Sequence, residues 1–266
     1  MNIAIAGLGA IGGEVARRLL NDAIPGLTLT AVAVRDRGKA RATLERMGWS
    51  GPIVDVGELV SLADLVVECA PAALMEEIAR PVLSAGKKLL VLSVGALLPL
   101  PELVELARKH GGQIIVPTGA LLGLDAVCAA AEGKIQSVQM TTRKPPNGLA
   151  GAPYLVANGI RVEGLREPLR VFSGTAREAA KGFPANVNVA AALSLAGIGP
   201  DRTRIDIWAD PTVTRNTHRI QVQSDSASID MTIENIPSEN PKTGRITALS
   251  VIATLRKLHA PLRVGT

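Results

Sequence analysis

Short apolar runs and amphipathic stretches alternate through the first 118 residues. "NIAIA" (2–6) is an apolar run that breaks at a glycine turn, and helical periodicity begins immediately after it in "AIGGEVARRLL". "LTLTAVAVR", "ADLVVECA", "KKLLVLSV" and "GQIIVPTG" read as further strands. Between them "RGKARATLERMG", "ALMEEIARPVLSAG" and "LPELVELARKHG" carry helical spacing. Strands that are apolar throughout are covered on both faces, and strand–helix alternation with short connections builds a parallel, doubly wound sheet. Beyond residue 118 the texture changes. "GKIQSVQMTTRKP", "PLRVFSGTA", "TRIDIWAD", "THRIQVQSD" and "ASIDMTIENIPS" alternate apolar and polar positions, and one helix, "NVNVAAALSLAG", lies among them. Such strands suit a mixed or antiparallel sheet with one solvated face. The fold class predicted is therefore α/β: an N-terminal Rossmann-type domain over 1–118 and a second, α+β domain over 119–240. A closing helix, 241–258, is expected to pack back on the first domain.

Composition narrows the function classes. Apolar residues make up 47% of the 266, enough for a full core, while aromatics make up only 2%. That scarcity argues against single-stranded nucleic-acid binding, which needs stacking rings. The net charge is +5 without any Lys/Arg run, which fits a basic site for an anionic cofactor or dicarboxylate better than a nucleic-acid surface. The longest apolar stretch, "LLVLSVGALLPLP", is broken by Gly and Pro and is too short to span a bilayer. The first residues read directly as a strand, without a charged n-region and cleavage site, so no secretory leader is expected. Cys69 and Cys128 lie in apolar surroundings without CxxC spacing, so buried free thiols and a cytoplasmic location are expected. No His/Cys/Asp cluster has metal-ligand spacing.

Candidate chemistry begins at Gly7, Gly9 and Gly12, a G-x-G-x-x-G between the first strand and the first helix, with Ala10 and Ile11 in the same turn. The first glycine permits the tight turn, the second lets backbone amides approach a pyrophosphate, and the third lets helix and strand pack closely. At the end of the second strand, Asp36 suits ribose hydroxyls and hence NAD, while Arg35 and Arg37 suit a 2′-phosphate and hence NADP. The choice between NAD and NADP stays open. Ligands of open parallel sheets lie beyond the strands' carboxyl ends, which adds Ala70, Ser93, Gly95 and Ala96 as candidate contacts.

The chain has three histidines. His110 and His259 fall at helix C-terminal ends, where a cation suits the dipole. His218, in "WADPTVTRNTHRIQV", has no such explanation. From its position alone it is either a surface or capping residue or an acid–base group, because imidazole titrates near working pH.

The motifs "GLGAIGG", "VECA", "LSVGAL", "PTGALLGLDAV", "NVNVAA", "DPTVTRNTHRIQV" and "NPKTGRITALSVIATLRKL" together resemble the L-aspartate dehydrogenase family over essentially the whole chain. The resemblance implies NAD(P)-dependent conversion of aspartate and water to oxaloacetate and ammonia through iminoaspartate. It further implies a link to NAD biosynthesis, since iminoaspartate feeds quinolinate formation. By similarity Ala120 and Asn188 contact the cofactor, and His218 is the active-site histidine. Leu122 and Gly244 depart from what relatives often carry and bear on the pocket rather than on the chemistry. A dianionic substrate calls for cationic partners. Lys144, Lys242, Arg143 and Arg215 are candidates, with Asn186 a further polar group, whereas Asp210 is expected to cap a turn. Two other readings remain: a reductase of the dihydrodipicolinate reductase or homoserine dehydrogenase type, and a non-catalytic dinucleotide-binding module. The open-faced second sheet predicts a homodimer, with neither nucleic acid nor membrane as a partner.

Overall fold

The periodicities of the chain resolve into two sheets in the computed structural model, which describes residues 1–21, 24–184, 187–237 and 244–265. One compact unit comprises Met1–Pro117 with Ala248–Arg263, and the other is built around Thr118–Thr247.

The first unit runs β1 (Asn2–Ala6), α1 (Ala10–Asn21), β2 (Thr28–Ala33), α2 (Arg37–Arg46), β3 (Ile53–Val54), α3 (Leu59–Leu62), β4 (Leu65–Glu68), α4 (Met75–Ser84), β5 (Lys88–Val91), α5 (Glu102–His110) and β6 (Gln113–Ile115). Its strands form a parallel sheet in the order β3-β2-β1-β4-β5-β6. The chain winds outward from β1 through β2 to β3, then returns to β4 on the other side of β1. That reversal is the topological switch point at which doubly wound folds bind ligands. The apolar runs of the sequence are the sheet's interior: Ile3, Ile5, Leu65, Val67 and Leu90 lie in one core cluster. Val251, Ile252 and Leu255, from α10 (Arg245–His259), lie in the same cluster. Gly111, in the left-handed conformation (φ 70°), caps α5 after Arg108, Lys109 and His110 in its last turn. His110 thus stands where the macrodipole favours positive charge.

The second unit runs α6 (Leu124–Ala131), β7 (Ile135–Lys144), α7 (Pro153–Ala157), β8 (Leu169–Thr175), α8 (Ala176–Gly182), α9 (Asn188–Ala196), β9 (Thr203–Ala209), β10 (Asn216–Ser224) and β11 (Ser228–Asn235). The sheet order is β11-β10-β7-β9-β8, with β7 and β9 parallel and the other pairs antiparallel. Alternation places Val138, Met140, Thr142 and Lys144 of β7, Ile205 and Ile207 of β9, and His218, Ile220 and Val222 of β10 on the buried face. Tyr154, Phe172 and Phe183 pack with ring centroids 5.2–5.5 Å apart. A single helix was expected in this region. The structure adds α6, α7 and α8, whose short lengths give helical periodicity too few turns to register.

The thiols differ from expectation. Cys128 is exposed, because α6 turns Leu124, Val127 and Ala130 inward and leaves Cys128 on the opposite side. Cys69 is half-buried as a residue, but its sulfur is well shielded: burial first, and then the neighbouring Glu68 carboxylate, pushes its thiol pKa up. No helix among the described residues is long and apolar enough to cross a membrane.

Candidate active site

The glycine turn of the first unit has the geometry a dinucleotide needs. Gly7 adopts φ +98°, and a Cβ there would meet the Cys69 carbonyl oxygen at 2.5 Å; a Cβ on Gly12 would lie 2.0 Å from the Gly7 oxygen. At Gly9, by contrast, nothing lies within 4 Å of where a Cβ would be. The backbone is therefore closed against itself on two sides and open at the one position where a phosphate would approach the N-terminus of α1. A cavity of about 800 Å³, of the size that small-molecule sites commonly have, opens beside it. Gly7, Gly9, Arg35, Asp36, Lys39 and Ala70 are among its lining residues. Ala10, Ile11 and Gly12 open α1 behind the turn.

At the end of β2, Asp36 caps α2: its Oδ1 accepts from the Lys39 backbone N–H at 3.0 Å. Arg35 lines the cavity, whereas Arg37 is ion-paired with Asp55 at 2.6 Å. The cation the sequence reading passed over is Lys39, one turn into α2 and part of the cavity wall. Ser93 follows β5, and its N–H and hydroxyl both donate to the buried carboxylate of Glu68. Gly95 and Ala96 form a short 3-10 turn after it. Glu68 was not singled out in the sequence because it sits inside the apolar run "LVVEC", and nothing local says which donors would meet it.

The second unit gathers a buried polar group on its sheet. His218 is 3% exposed and pairs in register with Thr142 of the neighbouring strand. The His218 Nδ1 lies 3.0 Å from the Thr142 Oγ1. Lys144, 5% exposed, is two residues further along β7 and so on the same face. Burial, followed by the charge of Lys144, lowers the His218 pKa from 6.5 to about 3, and burial lowers that of Lys144 from 10.5 to about 8. The site thus pairs an imidazole held neutral with an ammonium that titrates just above neutrality. Against the near-neutral titration expected from the sequence, a pKa near 3 makes the ring a weak base until an anion stands beside it, and a buried ammonium attracts such a carboxylate strongly.

The other predicted residues are more scattered. Ala120 lies in a turn, its carbonyl accepting from Asn235 Nδ2 at 2.9 Å. Asn188 is the exposed first residue of α9. Asn186 and Lys242 lie outside the described residues. Arg143 points away from the His218 face: it donates to Asp210 at 2.8 Å, and its guanidinium carbon stands 4.8 Å from the Trp208 ring centroid. Arg215 is exposed in the turn before β10. Asp210 accepts from the N–H and hydroxyl of Thr212, as a turn cap does. Burial raises its pKa, but the bonds from Thr212 and Arg143 outweigh this and hold it below the usual carboxylate value. Thr142 was missed in the sequence. Alternation along "MTTRK" places it on the face of Lys144, yet only strand pairing brings it to His218. Among the described residues there is no group of three or more His, Cys, Asp or Glu side chains placed to hold a metal.

Residues 125–258 match the family model "Aspartate dehydrogenase, C-terminal", and residues 7–117 match "Homoserine dehydrogenase, NAD binding domain". The chain is 60% identical over 266 residues to L-aspartate dehydrogenase 3 of Bordetella bronchiseptica, covering 100% of this chain and 98% of the relative. It is also 60% identical over 266 residues to the L-aspartate dehydrogenase of Bradyrhizobium diazoefficiens, covering 100% and 94%. The crystal structure of aspartate dehydrogenase from Thermotoga maritima superposes with a TM-score of 0.77 at 24% identity, over 100% of this chain and 99% of that one. An archaeal homoserine dehydrogenase in complex with NADPH shares the fold at a TM-score of 0.59 and 13% identity, over 98% of each chain. With a glycine cradle in one unit, a buried histidine in the other and relatives alike from end to end, the chain belongs to the L-aspartate dehydrogenase family of NAD(P)-dependent oxidoreductases.

Proposed function

We propose that this protein catalyses the oxidative deamination of L-aspartate with NAD(P)⁺ and water, through iminoaspartate, to oxaloacetate, ammonium, NAD(P)H and a proton, and that it also runs the reverse amination. The observation that carries this reading is the buried Thr142–His218 pair with Lys144 on the same sheet face. The dinucleotide, when bound, supplies acceptance of hydride from the substrate's α-carbon. Gly7, Gly9 and Gly12, with Ala10 and Ile11 behind them, hold its pyrophosphate, and Asp36 and Arg35 face its adenosine ribose. Ala70, Ser93, Ala120 and Asn188 complete the cofactor contacts.

Deamination also needs proton traffic. The substrate ammonium must lose a proton, water must be activated to attack the imine carbon, and ammonia must be protonated as it leaves. Burial keeps the ring neutral, and in the tautomer whose Nδ1–H donates to Thr142 Oγ1, Nε2 carries the lone pair. Nε2 then takes the proton from the attacking water and returns it to the departing nitrogen. Lys144 binds a substrate carboxylate, and that anion in turn stabilises the protonated lysine. Asn186 and Lys242 are assigned to the substrate in the same reading, and the second unit to catalysis and dimerisation. The homodimer is expected to form through the outward face of the second sheet, where Gln139, Gln221 and Asp230 stand, and light scattering of the purified protein at twice the chain mass tests it.

Iminoaspartate leaving the site before hydrolysis is the proposed link to NAD biosynthesis, through quinolinate. The deciding experiment follows absorbance of the reduced nicotinamide band with oxaloacetate and ammonium, using NADH and NADPH side by side. Consumption that requires both oxaloacetate and ammonium is expected; no consumption with either coenzyme refutes the reading. Arg35 and Lys39 on the cavity wall favour use of NADPH alongside NADH, and the paired rates test that too.

A further inference from the structure

Glu68 closes β4 with no exposed surface, an unusual place for an ionisable side chain. Burying a carboxylate is costly unless donors surround it. Here both oxygens are doubly engaged. Oε1 accepts from the Ala70 N–H and the Ser93 hydroxyl, each at 3.0 Å, and Oε2 accepts from the N–H groups of Leu92 at 3.1 Å and Ser93 at 2.8 Å. Burial raises the pKa of this carboxyl, and the bonds from Ser93, Leu92 and Ala70 act against that rise. Three of these four bonds reach the two residues immediately after β5; the fourth reaches the segment after β4.

Both segments lie at the carboxyl ends of strands beside the switch point. Cys69 and Ala70 line the cavity, and the missing Cβ of Gly7 is what allows the Cys69 carbonyl to stand so close to the glycine turn. In the strand order, β2, with Arg35 and Asp36 just beyond its end, is on one side of β1, and β4 and β5 are on the other. A dinucleotide whose pyrophosphate rests on the turn and whose adenosine ribose meets Asp36 extends its second half toward the β4–β5 side.

We propose that Glu68 is a positioning residue for the nicotinamide half of the dinucleotide: its carboxylate clamps the ends of β4 and β5 together and so fixes the backbone on which that half rests. The proposal rests on the dinucleotide reading of the first unit but not on His218 or on the identity of the substrate.

Glu68→Gln in the full-length protein tests it, by titrating NADH and ADP-ribose separately and recording thermal melting. The amide turns one acceptor oxygen into a donor facing N–H groups that it cannot satisfy. NADH affinity is expected to fall about 10-fold or more, while ADP-ribose, which lacks nicotinamide, changes by less than about 3-fold. A merely structural role would lower both affinities together along with the melting temperature. Glu68→Asp keeps the charge but, one methylene shorter, draws the carboxylate back from the Leu92 and Ser93 N–H groups. It is expected to shift NADH affinity in the same direction by about 3-fold with ADP-ribose unchanged, and it carries the test if Glu68→Gln does not fold. Equal losses for the two ligands, or no loss for either, overturn the proposal. Wild-type protein that binds neither ligand overturns the dinucleotide reading and the proposal with it.

Discussion

The glycine turn comes from one continuous stretch, Gly7 to Gly12, while His218 and Thr142 are 76 residues apart and meet only through strand pairing. The cradle is built mainly of backbone: amides, a helix N-terminus and the absence of side chains at three positions. The second group consists of three side chains desolvated together, and its proton affinities come from that burial rather than from any one residue. Local chain geometry is enough to shape a glycine turn at a helix N-terminus, whereas setting the proton affinities of an imidazole and an ammonium takes a whole sheet face.

Breaking the second site should have the largest effect. His218→Ala is expected to lower kcat by about 100- to 10,000-fold while dinucleotide binding in the first unit stays intact. Stopped turnover with unchanged NADH titration supports the division; near-normal kcat removes the histidine's proposed role. Lys144→Met keeps the length of the stem and removes the charge. It is expected to raise KM for aspartate by about 100-fold, with kcat less affected, since the lost interaction is with a substrate carboxylate. A KM that does not move assigns the carboxylate to another cation.

The burial that sets these proton affinities also predicts a stability profile. His218 titrates near 3 in the folded chain and near 6.5 when unfolded, so between those values the unfolded state binds the extra proton and stability falls as pH falls. Between pH 6 and pH 4 this one group should cost the wild type about 2 kcal/mol, a slope that His218→Gln removes. Urea melts of the two proteins at both pH values give the answer, and parallel profiles would mean that the ring is not desolvated in solution. The sign for Lys144 agrees. Its folded pKa near 8 lies below the unfolded 10.5, so deprotonation across that window adds stability as pH rises.

The first unit can be sharpened by comparing its own glycines. Gly9→Ala places a methyl in open space and leaves stability within about 0.5 kcal/mol, yet it should weaken NADH binding by about 10-fold because that space is where the pyrophosphate approaches. Gly12→Ala meets the Gly7 carbonyl instead and should fail as a fold before it fails as a binder. If Gly9→Ala leaves NADH binding untouched, the turn serves packing only.

The sequence by itself determined the parallel sheet, the glycine cradle, the change of texture after residue 118 and the peculiarity of His218. Each of these is a matter of period, of turn chemistry or of one rare residue's neighbours, all of which are local. It did not reveal the partner of His218, the diversion of Arg37 to Asp55, the outward position of Cys128 or the cage around Glu68. Each of these depends on which distant strand or helix lies alongside. Thr142 meets His218 because β7 pairs with β10 in one register, and a slip of a single residue would turn Thr142 and Lys144 to the opposite face. Tertiary structure alone decided that a histidine, a threonine and a lysine share one buried face, and the loss of water there gives the ring and the ammonium their proton affinities.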